Sequence, residues 1–191
     1  VGFVGAAISP SGHRIAVATM EGVQVFDGRS GELLGELDDP TARGVYITYT
    51  DELVVAEMGG ELTVRDLDTV AFRRSLGGNR GFVQAVGSTV DGSVLATRSG
   101  DRSVNLYDAA SGTRLGPPII IGDEEIPALA LSADGTMLAT GGGPDDGAVL
   151  WDLRPASWVS AACGVAGRDL TTDEWDTFIG DLAPYRSTCG I

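Results

Sequence analysis

Few side chains in this sequence have the type and spacing that chemistry requires. The single histidine, His13, has no Ser or Cys at a spacing that would pair nucleophile with base, so nucleophilic and acid-base catalysis find little to work with. Gly141-Gly142-Gly143 could be read as a phosphate-cradling loop, but the chain contains no Lys to follow it and no helix starts there; a hairpin turn is the better reading. Cys163 and Cys189 are 26 positions apart, which fits a disulfide pinning the chain end onto an earlier helix and also fits two buried thiols. Two Cys with no His nearby are too few to hold a metal. Asp27, Asp66, Asp108 and Asp152 recur because turns recur. No catalytic residue, metal or cofactor is therefore expected.

The elements that position these residues must be short and turn-rich. Of 191 residues 28 are Gly, about twice the usual share of roughly 7 per cent, while aromatics make up only 6 per cent. The 43 per cent hydrophobic content is enough for a folded core of about one domain. The formal charge of −14 repels a phosphate backbone, and the 13 Arg are scattered singly, so neither nucleic acid nor an anionic membrane is an expected partner. No apolar stretch approaches the roughly 18 residues of a membrane span, Val1-Gly2-Phe3 lacks the start of a signal peptide, and so few Cys make the cytoplasm the default location.

Self-comparison exposes an internal repeat. Ser30-Gly31-Glu32-Leu33-Leu34-Gly35 returns 81 positions later as Ser111-Gly112-Thr113-Arg114-Leu115-Gly116. The turn Ser9-Pro10-Ser11-Gly12 returns as Val90-Asp91-Gly92 and Ala133-Asp134-Gly135. The four aspartates each close a short alternating strand, at spacings of 39, 42 and 44. A period near 40 with four strands per unit is the footprint of a propeller blade, which gains stability by stacking its apolar face on the next unit. Ala6, Ala7, Ala18, Ala96, Ala139 and Gly87 suit crowded inner strands. The second unit is degenerate: Thr50-Asp51-Glu52 replaces Asp-Gly, and the Ser-Gly turn gives way to Asp68-Thr69.

On these residues the chain resembles the WD-repeat propeller family. Trp151-Asp152 is the family's dipeptide, Tyr107-Asp108 and Phe26-Asp27 are aromatic variants, and Arg65-Asp66 departs from it. The family's Gly-His dipeptide is absent, so the usual His-Ser/Thr-Asp-Trp tetrad cannot form in full. The resemblance implies an all-β fold: a β-propeller of about four WD-type blades (about 1–41, 42–81, 82–125 and 126–154), part of a larger seven- or eight-bladed ring, plus a short C-terminal helical tail over 155–191. A fourth unit with three strands points to half a ring, or to two chains completing one another as a homo-oligomer.

The tail has helix punctuation of its own. Pro155 opens one helix and Gly167 caps it; Thr171 with Glu174 forms a capping box for a second, with Leu170 against Trp175. Ala162-Cys163, Ala166-Gly167-Arg168, Glu174-Trp175, Pro184-Tyr185-Arg186 and Cys189 are similar to the C-terminal extension of actinobacterial WD-repeat proteins, where the propeller often follows a signalling NTPase, a transcriptional activation module or a kinase.

That resemblance implies a non-enzymatic scaffold or sensor module of a larger bacterial signalling protein. Its partner would be a protein or peptide, of basic character if Asp123, Glu124, Glu125, Asp145 and Asp146 carry recognition. Arg43, Asn79, Arg80 and Arg102 would project from the same face. The bland reading of these loops is a solvated acidic surface. The competing class is a propeller holding a small molecule or metal ion in its central channel, and a third reading is purely structural.

Overall fold

The computed structural model describes residues 3–121, 128–141 and 147–190. Its strands form four separate meanders. The first sheet contains β1 (Phe3–Ile8), β2 (Arg14–Thr19), β3 (Gly22–Asp27) and β4 (Leu33–Asp38), in that spatial order. The second repeats the pattern with β5 (Ala42–Ile47), β6 (Glu52–Glu57), β7 (Leu62–Asp66) and β8 (Phe72–Leu76). The third contains β9 (Val83–Ser88), β10 (Val94–Ser99), β11 (Ser103–Asp108) and the two-residue β12 (Ile119–Ile120). Among the described residues the fourth sheet has three strands, β13 (Leu129–Leu131), β14 (Met137–Gly141) and β15 (Ala148–Asp152). Neighbouring strands run antiparallel, as short turns demand.

The repeat is written in the turn after each third strand. Asp27 accepts hydrogen bonds on Oδ1 from the amides of Arg29 (3.0 Å) and Ser30 (2.8 Å) and from the Ser30 hydroxyl (3.1 Å). Asp66 does the same with the amides of Asp68 and Thr69 and the Thr69 hydroxyl, and Asp108 with the amide and hydroxyl of Ser111. The next residue turns left-handed, at Gly31 and Gly112 with φ of 72°. In the second unit, where the Ser-Gly pair gives way to Asp68-Thr69, Thr69 stands in for Ser and Val70 takes the left-handed conformation at φ 58°. An L-residue pays about 1–2 kcal/mol for that backbone. Burying the Val70 side chain beside Leu67 in the core, worth roughly 1.5–3 kcal/mol, offsets it.

Apolar faces meet between sheets. Ala16, Ala18, Val23 and Val25 of the first pack with Val45, Leu53, Val55 and Val70 of the second. On the other side of the second sheet, Val54, Leu62, Val64 and Leu76 pack with Val83, Leu95 and Tyr107 of the third. A Cβ on Gly87 would lie 3.0 Å from the Leu129 side chain, so the small residue there lets β13 approach β9. Ala6 departs from the expected inner-strand role, since it faces solvent.

The chain divides into two compact units, Val1–Leu150 and Trp151–Ile191. The second contains α1 (Pro155–Ala166), α2 (Thr172–Phe178) and a 3-10 turn at Gly180–Leu182. Pro155 opens α1, and Gly167 caps it in the left-handed region at φ 66°. The capping box of α2 is formed in both directions: Thr171 Oγ1 accepts from the Glu174 amide, and Glu174 Oε2 accepts from the Thr171 amide. Trp175 is buried, donating its indole N–H to the Ala183 carbonyl at 2.9 Å, with the Tyr185 ring edge-on at 5.5 Å. A disulfide joins Cys163 to Cys189 and lines an apolar cleft of about 480 Å³ with Val159, Ala162, Leu170 and Trp175.

Candidate functional site

Among the described residues, meander topology sorts the connections to one of two ends of the sheets. The links between successive sheets and the turns between second and third strands share one end, which carries Arg43, Asn79, Arg80 and Arg102. Arg43 is half-buried, with its guanidinium donating to the carbonyls of Pro40 (2.6 Å) and Ala42 (2.7 Å). Arg80 is exposed. Arg102 is exposed too, in a left-handed turn conformation (φ 67°) between β10 and β11. Asp123, Glu124, Glu125, Asp145 and Asp146 lie outside the described residues.

Asn79 is engaged differently. Its Oδ1 accepts three hydrogen bonds, from Thr97 Oγ1 (2.8 Å), Ser99 Oγ (2.9 Å) and Asn105 Nδ2 (3.0 Å), while its own buried Nδ2 donates to nothing. Beside it the Tyr107 hydroxyl donates to the Gly77 carbonyl at 3.1 Å. Thr97, Asn105 and Tyr107 are fully buried, so Asn79 gathers the polar groups of the third sheet without a histidine. The sequence signal was the run of Thr, Ser and Asn at alternate inward positions of β10 and β11, which a purely apolar core would not contain.

The opposite end holds Asp27, Asp66, Asp108 and Asp152. The amide of Ser30, then that of Arg29, holds the Asp27 carboxyl below its ordinary range. Hydrogen bonds from Thr69, joined by Arg73, take Asp66 much further down. Asp152 departs from the pattern: Arg154 contributes its backbone amide and a guanidinium ion pair, which hold that carboxyl far below the usual range. Trp151 is half-buried, and among the described residues the fully buried aromatic of the repeat is Tyr107.

Two clefts open at this end at successive seams, and they are counterparts. One, of about 220 Å³, is lined by Ser11, His13, Arg14, Asp51, Asp66 and Asp68; the other, of about 260 Å³, by Thr50, Glu52, Arg73, Arg74, Gly92 and Ala110. Arg14 and Glu52 occupy equivalent corners, because Arg14 pairs in register with Asp27 and Glu52 with Asp66. Arg14 bridges its own Asp27 (3.1 Å) and Asp68 of the next sheet. Glu52, opposite another carboxylate, is neutralised within its own sheet by Arg74 (2.6 Å) and Arg73 (3.1 Å). Burial alone would raise its carboxyl, and the two guanidinium groups outweigh it and hold it low. His13 meets Arg29 at 2.7 Å. Among the described residues no three His, Cys, Asp or Glu are grouped as metal ligands.

No family model matches the chain. A 95-residue stretch is 39% identical to cilia- and flagella-associated protein 52 of Chlamydomonas reinhardtii, a WD-repeat protein, covering 49% of this chain and 15% of that one. The solved structure of U3-55K, a WD40 propeller protein, superposes with a TM-score of 0.69 at 16% identity, covering 80% of this chain and 49% of that one. The fold is that of a β-propeller segment. Each sheet is one blade, and this chain spans about half the length of the propeller chain it superposes on. No helix among the described residues is long and apolar enough to cross a membrane.

Proposed function

We propose that this chain is a non-enzymatic propeller segment acting as a protein-interaction scaffold or sensor in a larger bacterial signalling or regulatory protein of the cytoplasm. The supporting observation is where the polar side chains are used. Asp27, Asp66 and Asp108 serve their own turns, Asn79 serves the interior of its blade, and Arg14 and Glu52 serve the seams. The end of the blades that bears Arg43, Arg80 and Arg102 is our candidate partner face, and we assign the acidic residues Asp123, Glu124, Glu125, Asp145 and Asp146 to it from their positions in the repeat. A Lys/Arg-rich peptide segment is the occupant this acidic chain suits, at net charge −14.

The test is fluorescence anisotropy with a labelled Arg-rich peptide. Reversal of Asp123, Glu124 and Glu125 to Arg should leave the far-UV circular dichroism melt unchanged and abolish binding, and added salt should weaken binding to the parent. Equal binding by parent and variant retires the proposal. Its cytoplasmic part is tested by cell fractionation, where the chain should travel with cytosolic markers; recovery in an exported fraction overturns that part.

A further inference from the structure

Asp169 follows the C-terminal cap of α1, and its carboxylate gathers the segment that carries the second cysteine. It accepts from the Ser187 hydroxyl at 2.9 Å on Oδ2 and 3.0 Å on Oδ1, from the Thr188 hydroxyl at 3.2 Å, and from the Cys189 amide. Around that centre the Leu170 amide donates to Thr188 Oγ1 (3.1 Å) and the Tyr185 hydroxyl to the Leu170 carbonyl (2.9 Å). The other cysteine is tied to the same turn, because the Gly167 amide donates to the Cys163 carbonyl at 2.9 Å.

None of these bonds uses sulfur, so they hold both cysteines in place whether or not the disulfide is closed. The Thr188 carbonyl oxygen lies 3.8 Å from Cys163 Sγ, where it can accept from the thiol once the covalent bond is cut. Both cysteines are half-buried and line the apolar cleft beside Val159, Ala162 and Trp175. A small molecule can therefore reach the sulfurs while the helices stay folded.

We infer that Cys163 and Cys189 are an exchangeable redox pair for small thiols of the glutathione class, with Asp169 as the positioning residue that keeps the two sulfurs adjacent in the dithiol state. A thiolate entering the cleft attacks one sulfur, forms a mixed disulfide and breaks the Cys163–Cys189 bond, and the released thiolate takes a proton from water. A second small thiol then resolves the mixed disulfide. Two electrons pass from the small thiols to the protein, which ends with two thiols while the reductant ends as its own disulfide. The same steps run in reverse with the oxidised reagent. Reclosure is favoured because the thiols are already neighbours, so each meets the other at a high effective concentration.

Equilibration of the 191-residue chain in mixtures of reduced and oxidised glutathione, quenched in acid and read by mass spectrometry, tests this. The effective concentration of the pair should be at least about tenfold higher in native buffer than in urea, where only the intervening loop joins the thiols. Asp169→Ala should lose at least about tenfold of the native value, and Asp169→Asn, which keeps one acceptor oxygen, should fall between. If Asp169→Ala fails to fold, Asp169→Asn carries the same comparison. Glu174→Gln weakens the cap of α2 without touching the Asp169 carboxylate; it should lower the melt and leave the glutathione value at that of the parent. A bond that glutathione leaves intact in native buffer, equal values with and without urea, Asp169 variants that match the parent, or a Glu174→Gln variant that falls as far as they do would each overturn the inference.

Discussion

The guanidinium of Arg14 on β2 grips the carboxylate of Asp68 fifty-four positions later, with Nε to Oδ1 at 2.5 Å and Nη2 to Oδ2 at 3.2 Å. The pair ties the first blade to the second through the turn that follows β7. Replacing Arg14 by Met, the residue at the corresponding corner of the fourth blade, keeps most of the apolar stem and removes the tie. Tm should fall, and the deficit should shrink as salt screens the parent's ion pair. A double-mutant cycle with Asp68→Ala should show coupling at low salt; zero coupling would deny the link.

Close approach makes a second seam prediction. A Cβ on Gly35 would sit 2.6 Å from the Asp68 carbonyl oxygen and 2.6 Å from a Val70 methyl. Gly35→Ala should therefore cost about 1–3 kcal/mol, the scale of an overpacked core, as read from denaturant melts.

The idle nitrogen of Asn79 sets up a contrast. Asn79→Leu strands the three donors that share its oxygen and should cost about 1–3 kcal/mol. Asn79→Asp keeps the acceptor and drops the unpartnered amine, so at neutral pH it should melt closer to the parent than the Leu variant does. The reverse order would mean that the network does not depend on the acceptor.

In the tail, reducing the Cys163–Cys189 bond frees a loop of 26 residues, for which the chain-entropy model gives about 3 kcal/mol. The transition followed by the buried indole of Trp175 should drop in dithiothreitol, and Cys189→Ser should reproduce that drop without reductant.

Acid should loosen both units. Thr89 and then Ser93 hold Asp91 down to about 2, and Arg168, followed by the Thr171 amide, does the same for Glu174. A carboxyl with a depressed folded-state pKa contributes its full stability above its unfolded value, near 4, and loses it as pH falls toward the folded one. Melts should be flat above about pH 5 and decline between about pH 4 and 2. A Tm that rises across that window would contradict the assignments.

Local chemistry made the blades legible. Asp27, Asp66 and Asp108 mark equivalent corners because the Asp and the Ser or Thr that close each turn are neighbours in the chain, and the same holds for Thr171 and Glu174 in the tail. Val70 escaped because its left-handed backbone is secured by tertiary burial, which no turn preference encodes. Arg14 with Asp68, and Asn79 with Asn105, escaped because each joins a strand to a connection far from it in sequence. Placing Asn79 with the surface arginines followed from its position in a connection, and only the approach of β10 and β11 shows where its oxygen is directed.

Duplicated modules face a sorting problem, since any copy offers a welcoming surface to any other while the chain is still collapsing. The inversion from Arg14 to Glu52 at matching corners works against this. Arg14 takes its carboxylate from Asp68 of the next blade, whereas Glu52 takes its guanidinium partners from its own, and only the second blade carries a carboxylate at the position of Asp68, so the charged tie at the first seam forms only when the first blade meets the second. The second corner is closed within its own blade, so only the first carries the pairing that tells one neighbour from another.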